Sequence, residues 1–259
     1  MPVIHGSGGG RSIHFLFFAD DLSADDAHLG PAETKHAVTV LRLQPGDLLQ
    51  LTDGRGCRAV GRYETVNGRE MRLSIVERTI RCRQHPRIHL FIGLPDRDAF
   101  ETVLLDATAL GVSRIIPIAA EQCQKRWWKE WDNHLPRFRQ KMIVALKQSV
   151  SCFLPEISVP CGTAEAIAGA EGFVMLADPA GKPVNTLLPF NPAMPVSCFI
   201  GPPGGFSEKE RRLFDRESSR RVRIAPARLR TELAATALCA QVIGRLLERG
   251  EERNPIGDE

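Results

Sequence analysis

The sequence contains no run of the roughly eighteen consecutive apolar residues that a membrane-spanning helix requires, and its first residues lack the apolar core of a secretory signal. It also lacks any Cys-x-x-Cys pair. The seven cysteines (Cys57, Cys82, Cys123, Cys152, Cys161, Cys198 and Cys239) are odd in number and scattered, several of them in apolar surroundings. Such usage argues against a disulfide framework and a zinc cluster, and leads us to expect reduced thiols in a cytoplasmic protein with no bound metal and no membrane contact. No Gly-Lys-Ser/Thr follows a glycine-rich loop, and no G-x-G-x-x-G lies between a strand and a helix, which counts against ATP, GTP and NAD as ligands. Repeats and low-complexity tracts are absent as well. Charge of one sign is scarce: 34 Lys and Arg against 31 Asp and Glu give a net +3, too little to announce a nucleic-acid partner.

What is present is an ordinary globular composition, 43% hydrophobic and 25% charged over 259 residues, enough for one large domain or two small ones. The arginines crowd locally, in Arg81/Arg83/Arg87, Arg211/Arg212/Arg216 and Arg220/Arg221/Arg223 with Arg228/Arg230. Solvated surface charge accounts for any one cluster; three make a phosphate-binding face plausible.

Met1 to Gly10 reads as a flexible leader. Strands over Ile13–Phe18, Leu48–Thr52, Cys57–Glu64 and Met71–Glu77, with a short helix over His36–Leu43 and turns at Pro45-Gly46-Asp47, Asp53-Gly54 and Asn67-Gly68, predict a small β-barrel over residues 11–80. A polar stretch around Arg78–Pro86 marks a domain boundary. Strands then alternate with helices over residues 84–247: strands at Arg87–Gly93, Arg114–Ile118, Gly172–Ala177, Val196–Gly201 and Arg221–Ala225, helices at Ala99–Leu110, about 131–150, Glu208–Glu217 and Thr231–Leu247. Continuous apolar strands between helices predict an α/β domain with a mostly parallel sheet. The charged tail, residues 248–259, is expected to fray.

Ligands of such sheets bind at the loops that follow the strands. Three candidates stand out: Leu176-Ala177-Asp178-Pro179-Ala180-Gly181, Ile200-Gly201-Pro202-Pro203-Gly204-Gly205-Phe206-Ser207, and Ile224-Ala225-Pro226-Ala227-Arg228-Leu229-Arg230-Thr231-Glu232. The second packs three glycines and two prolines into five residues. Such a loop brings its backbone close to a flat ligand and is already stiff, although a plain connecting turn would look the same. Ser207 and Glu210 have the spacing of a capping box. Arg230-Thr231-Glu232 opens a helix of small residues, where Glu232 is also explained as a carboxylate favoured by the helix dipole.

Ile-Gly-Pro-x-Gly-Gly-Phe-Ser, followed about twenty-five residues later by Leu229-Arg230-Thr231-Glu232-x-Ala234, resembles the signature of the RsmE family, the ribosomal RNA uridine N3-methyltransferases of the SPOUT superfamily. Arg11-x-x-His14-Phe15-Leu16-Phe17, His36-x-x-x-Val40-Leu41-Arg42-Leu43 with Gly46-Asp47, Leu110-Gly111-Val112-x-x-Ile115-x-Pro117, and Gln148-Ser149 before Leu154-Pro155-Glu156 are similar to the family in the same order. The likeness therefore covers about residues 11–247. It implies a PUA-like RNA-binding barrel followed by a SPOUT-type knotted α/β domain, usually a homodimer, that transfers a methyl group from S-adenosyl-L-methionine to N3 of a uridine in 16S ribosomal RNA of the small subunit. Carried over residue by residue, Leu176, Ile200, Gly201, Gly205, Ile224, Ala225 and Leu229 contact the cofactor. Arg11, Arg42 and Arg228 contact RNA, Arg230 stabilises charge on the base, and Glu232 orients Arg230 or accepts the proton, unless it only caps its helix.

The chain departs from the family's pattern at polar positions. Pro203 replaces the glutamate of Gly-Pro-Glu-Gly-Gly; Asp106 and Ala109 replace the lysine and glutamate of Lys-Ala-Thr-Glu-Leu-Gly. Lys147-Gln148-Ser149-Val150-Ser151 stands for Glu-Gln-Ser-Gly-Arg, and Ala225 and Ala227 replace a glycine and an arginine. These changes keep a second reading open, an RNA-binding paralogue of the same fold whose methyl transfer is lost or redirected. A third, an unrelated nucleotide-using α/β enzyme, lacks its phosphate loop.

Overall fold

The computed structural model describes residues 12–81, 83, 87–123, 127–187, 194–216 and 219–252. Arg11 and the leader lie outside them. Two compact units divide the chain: Met1–Cys82 with Leu146–Leu154, and Arg83–Ala145 with Pro155–Glu259. A segment from the second half of the sequence therefore counts with the first unit, which no local pattern foretold.

The first unit is a five-stranded sheet: β1 (Ser12–Phe18), β2 (Asp26–Leu29), β3 (Leu48–Thr52), β4 (Cys57–Asn67) and β5 (Glu70–Ile80), in the order β1-β3-β4-β5-β2. β4 alternates buried and half-buried residues from Cys57 to Arg62, and its inward residues join Phe17, Leu49, Leu51, Met71 and Leu73 in one apolar core. The hairpins β3–β4 and β4–β5 are antiparallel as their turns require, but β1 pairs with β3 in parallel. The helix expected over His36–Leu43 is placed differently. An α-turn, α1 (Pro31–Lys35), precedes it with proline in its first turn, and His36–Val40 continues as a π-turn. Arg42, just beyond, is exposed and has φ 54°.

Within this unit Leu146–Leu154 is clasped by backbone: Gly56 N–H donates to the Cys152 carbonyl at 2.8 Å and Leu154 N–H to the Gly54 carbonyl at 2.7 Å. Lys147 pairs with the buried carboxylate of Glu33. Val150 sits in this clasp at φ 52°, exposed, where the family motif carries glycine. A β-branched residue there is strained by roughly 1–2 kcal/mol. Val150→Gly is expected to stabilise the protein by a net of about 0.5–1 kcal/mol after the added chain entropy of glycine. A denaturant midpoint that falls instead would show that the strain is absent.

The second unit holds β6 (Ile88–Gly93), α2 (Arg97–Ala109), β7 (Arg114–Ile118), α3 (Trp131–Gln148, whose last residues belong to the first unit), β8 (Glu156–Ile157), α4 (Thr163–Ala168), β9 (Phe173–Pro183), β10 (Val196–Ile200), α5 (Glu208–Arg216), β11 (Arg220–Arg223) and α6 (Thr231–Glu252). Its six strands run in the order β11-β9-β10-β6-β7-β8, and every pair is parallel. β6 and β10 are buried along their whole length, which is why, apart from His89 and Ser197, they read as apolar runs. Phe100 of α2 packs on Trp131 and Phe138 of α3 at centroid distances of 5.7 and 5.4 Å. The closing helix reaches Glu252, past the Leu247 expected for it, so part of the tail expected to fray is helical. Among the described residues no helix is long and apolar enough to cross a membrane.

His89 of β6 is 1% exposed, and neither ring nitrogen has a partner among the described residues. Burial holds its imidazole below the ordinary value of 6.5. The unfolded chain then binds a proton that the native state refuses. Stability from this site is complete above about pH 6.5 and is lost as pH falls below it. His89→Leu is expected to flatten the dependence of the unfolding midpoint between about pH 7 and pH 5. An unchanged slope would assign the acid sensitivity to other groups.

Candidate active site

The carboxyl ends of the parallel strands open into one cavity of about 960 Å³, near the upper end of the ~300–1,000 Å³ typical of small-molecule sites. Each strand end reaches it by a different device. β9 bulges: Leu176 pairs with Arg221, but the next paired residue, Lys182, faces Val222, so 177–181 loop out of register. The first candidate loop is thus a bulge inside a strand longer than expected, and Gly181 lies there with the β11 backbone 2.5 Å from where a Cβ would be. After β10, Gly201 to Gly205 form the second loop, where Gly205 has φ 81° and a Cβ would meet no atom within 4 Å. After β11, Ile224 to Arg230 lead into α6.

All the residues expected at the cofactor (Leu176, Ile200, Gly201, Gly205, Ile224, Ala225 and Leu229) line this cavity, as do Arg228, Arg230 and Glu232. Arg42 belongs to the other unit. Leu94, Pro95, Asp96 and Ala99, from the end of β6 and the start of α2, and Gln122, beyond β7, also line it, and sequence reasoning missed them. The rule that ligands sit at strand ends covers the loops after β6 and β7 as well, and would have found them.

The loops are tied together by a few hydrogen bonds. Thr231 does not cap α6 with its hydroxyl; it donates to the Gly201 carbonyl at 3.2 Å, joining the start of the helix to the glycine loop. Ser207 and Glu210 form the expected reciprocal capping box, Ser207 N–H to Glu210 Oε2 at 2.8 Å and Glu210 N–H to Ser207 Oγ at 3.3 Å. Arg228 donates to the Pro203 carbonyl at 2.9 Å. Asp178 in the bulge is 4% exposed and lies 3.4 Å from Arg211 and 3.2 Å from Arg221, while Arg221 also pairs with Asp215 at 2.6 Å. Two arginines of the supposed basic face are therefore engaged in holding the bulge, and a third, Arg212, lies beside Glu208. Asp106 accepts a 2.7 Å hydrogen bond from Thr236, linking α2 to α6. Cys123, the residue after Gln122, has its thiol pushed up to about 11 by burial, which disfavours the thiolate.

The cavity has apolar walls in Leu176, Ile200, Ile224 and Leu229, exposed backbone in the glycine loop, and no phosphate-binding loop. That combination suits a flat, largely uncharged heterocycle. At its rim the guanidinium of exposed Arg230 and the carboxylate of Glu232 have no partner among the described residues. Among those residues no group of His, Cys, Asp and Glu is arranged to hold a metal ion.

The sequence matches the family model for an RNA methyltransferase domain over residues 83–243 and that for an RNA methyltransferase PUA domain over residues 29–76. The chain belongs to the RsmE family of RNA methyltransferases. Within that family it is 26% identical to ribosomal RNA small subunit methyltransferase E of Mycobacterium bovis over 247 residues, 92% of this chain and 94% of the relative. A methyltransferase from Legionella pneumophila, solved with bound SAM, superposes with a TM-score of 0.79 at 27% identity, covering 91% of this chain and 98% of its own. The fold is shared by ribosomal RNA small subunit methyltransferase E from Neisseria gonorrhoeae, with a TM-score of 0.79 at 21% identity over 89% of this chain and 97% of its own. The family's SPOUT-type α/β domain is thus the parallel-sheet unit, and its PUA-like domain the five-stranded one.

Proposed function

We propose that this RsmE-family chain transfers a methyl group from S-adenosylmethionine to N3 of a uridine in 16S ribosomal RNA, acting in the cytoplasm as a homodimer on the small subunit. The observation that carries the reading is the convergence of seven expected cofactor residues on one cavity with Arg230, unpaired among the described residues, at its rim. Bound there, S-adenosylmethionine supplies an electrophilic methyl group. Leu176, Ile200, Ile224 and Leu229 wall its adenine, and the Gly201–Gly205 backbone reads the adenine's edge.

The protein's own groups must make the base reactive. N3 of uracil carries a proton and is a poor nucleophile until that proton leaves, when charge spreads onto the two flanking carbonyl oxygens. Glu232 accepts the proton. Its side chain makes no capping hydrogen bond among the described residues and no ion pair with Arg230, which favours the base role over capping or orienting. Arg230 stabilises the charge on a carbonyl oxygen. Arg11, Arg42 and Arg228 hold the RNA, largely through phosphates, so affinity should fall steeply with salt.

The rival reading, a paralogue that binds RNA without transferring methyl, draws on Pro203, which stands where the family has a carboxylate. The Arg228 bond to the Pro203 carbonyl holds the loop without that carboxylate, and favours an active enzyme. Calorimetric titration with S-adenosylmethionine, followed by transfer to small subunits lacking the modification, separates the two. Binding with transfer to uridine N3 supports the enzyme; binding without transfer leaves the paralogue; no binding removes the cofactor assignment.

A further inference from the structure

The polar side chains around the cavity separate by what they already do. Asp96 accepts from Ala99 N–H at 2.9 Å as the cap of α2, Asp178 is paired to two arginines, and Thr231 is bonded to Gly201. Besides Arg230 and Glu232, the side chain left without a hydrogen-bond partner among the described residues is the carboxamide of Gln122. It lies on the loop after β7, exposed at the cavity and close against Gly204 of the glycine loop. A Cβ on Gly204 would come within 2.9 Å of Gln122 Cβ and 3.1 Å of its Oε1.

That placement is built. Glu210 is 4% exposed, and while one carboxylate oxygen closes the capping box with Ser207, the other accepts the backbone N–H of Glu121 at 3.1 Å and the Thr163 hydroxyl. The backbone immediately before Gln122 is therefore fixed to the same buried carboxylate that fixes the end of the glycine loop. A carboxylate that only capped a helix would need one of these bonds.

We propose that Gln122 is a substrate-contacting residue of this enzyme: its carboxamide N–H donates to one carbonyl oxygen of the target base, while Arg230 serves the other. Glu210 is the positioning residue that holds it there. The inference rests on the function proposed above. A uracil losing its N3 proton places charge on two oxygens, one on each side of the reacting nitrogen. A single cation covers one of them. The other requires a fixed donor, and a neutral amide supplies it without competing with Glu232 for a counter-charge.

The test compares the wild-type protein, Gln122→Met, which keeps the shape without the amide, and Gln122→Glu, which presents an acceptor where a donor is needed. Each is titrated with S-adenosylmethionine and assayed on small subunits lacking the modification, across pH. For Gln122→Met the expected loss in kcat is about 10²-fold, the scale of one oxyanion donor, with cofactor affinity unchanged and the rise of kcat with pH displaced to higher pH. Gln122→Glu should fall further. Turnover of both variants at the wild-type rate would overturn the contact, as would a parallel loss of cofactor affinity, which would make Gln122 mere scaffolding. A wild-type protein that binds the cofactor but leaves uridine N3 unmethylated would instead overturn the underlying function, and the contact with it.

Discussion

Arg230→Ala is expected to slow methyl transfer by about 10²–10³-fold, equivalent to about 2.7–4 kcal/mol of transition-state stabilisation, while S-adenosylmethionine affinity barely changes. The geometry separates side chain from backbone at this position. The Arg230 carbonyl accepts from Ala234 N–H at 2.8 Å as α6 begins, and Thr231, the next residue, is bonded to Gly201. The backbone is thus fixed by contacts that alanine preserves. The guanidinium is exposed and unpaired among the described residues, so its loss leaves no orphaned partner and the fold should tolerate it. What disappears, on the proposed mechanism, is the cation that stabilises negative charge developing on the base. Lysine, with the charge but not the planar fork, should restore part of the rate. Single-turnover kinetics with saturating cofactor read the effect directly. Wild-type rates in Arg230→Ala would remove the residue from the mechanism, and loss of cofactor binding would mean that it shapes the pocket.

The sequence showed most where the chain repeats a local physical constraint. β6 and β10 were legible because burial on both faces leaves mostly apolar residues, His89 and Ser197 excepted, and the Ser207–Glu210 box because capping has a fixed spacing. That the expected residues meet at one cavity was legible because the glycine-rich loop and Leu229-Arg230-Thr231-Glu232 resemble the signature of one family. Features set by contacts distant in sequence were hidden. The bulge of β9 at 177–181 depends on the pairing of β11 and on arginines thirty-three and forty-three residues away, so it read as a loop. Arg211 and Arg221 looked like parts of a phosphate-binding face because the buried Asp178 that engages them lies in a separate stretch of sequence. Gln122 gave no signal, since a glutamine beyond a strand is unremarkable until Glu210 and Gly204 are seen to hold it. The inclusion of Leu146–Leu154 in the first unit was invisible for the same reason: the bonds that secure it reach back to Gly54 and Gly56.

The second large effect is expected at a residue that touches no ligand. Gly93 ends β6, and a Cβ there would stand 2.3 Å from both the nitrogen and the Cδ of Pro202 and 2.9 Å from the Gly201 carbonyl carbon. These atoms are backbone and a rigid ring, so nothing can swing aside. Gly93→Ala must push the glycine loop away from the strand, and Ile200, Gly201 and the Thr231 bond move with it. The expected cost is about 1–3 kcal/mol of stability, typical of forced overpacking. Because the same loop is proposed to hold the cofactor, affinity for S-adenosylmethionine should fall at least tenfold, an amount equal to about 1.4 kcal/mol. Gly162→Ala is the control: it lies at the N-cap of α4 with φ −73°, and a Cβ there meets nothing within 4 Å, so stability should fall only by the fraction of a kcal/mol that alanine costs at an N-cap and cofactor affinity should stay at wild type. If Gly93→Ala loses stability yet binds the cofactor normally, the loop does not hold the ligand and the cavity assignment fails. If it loses neither, then β6 and the loop can separate freely, and the site is not the preorganised one that the Thr231 and Glu210 bonds imply.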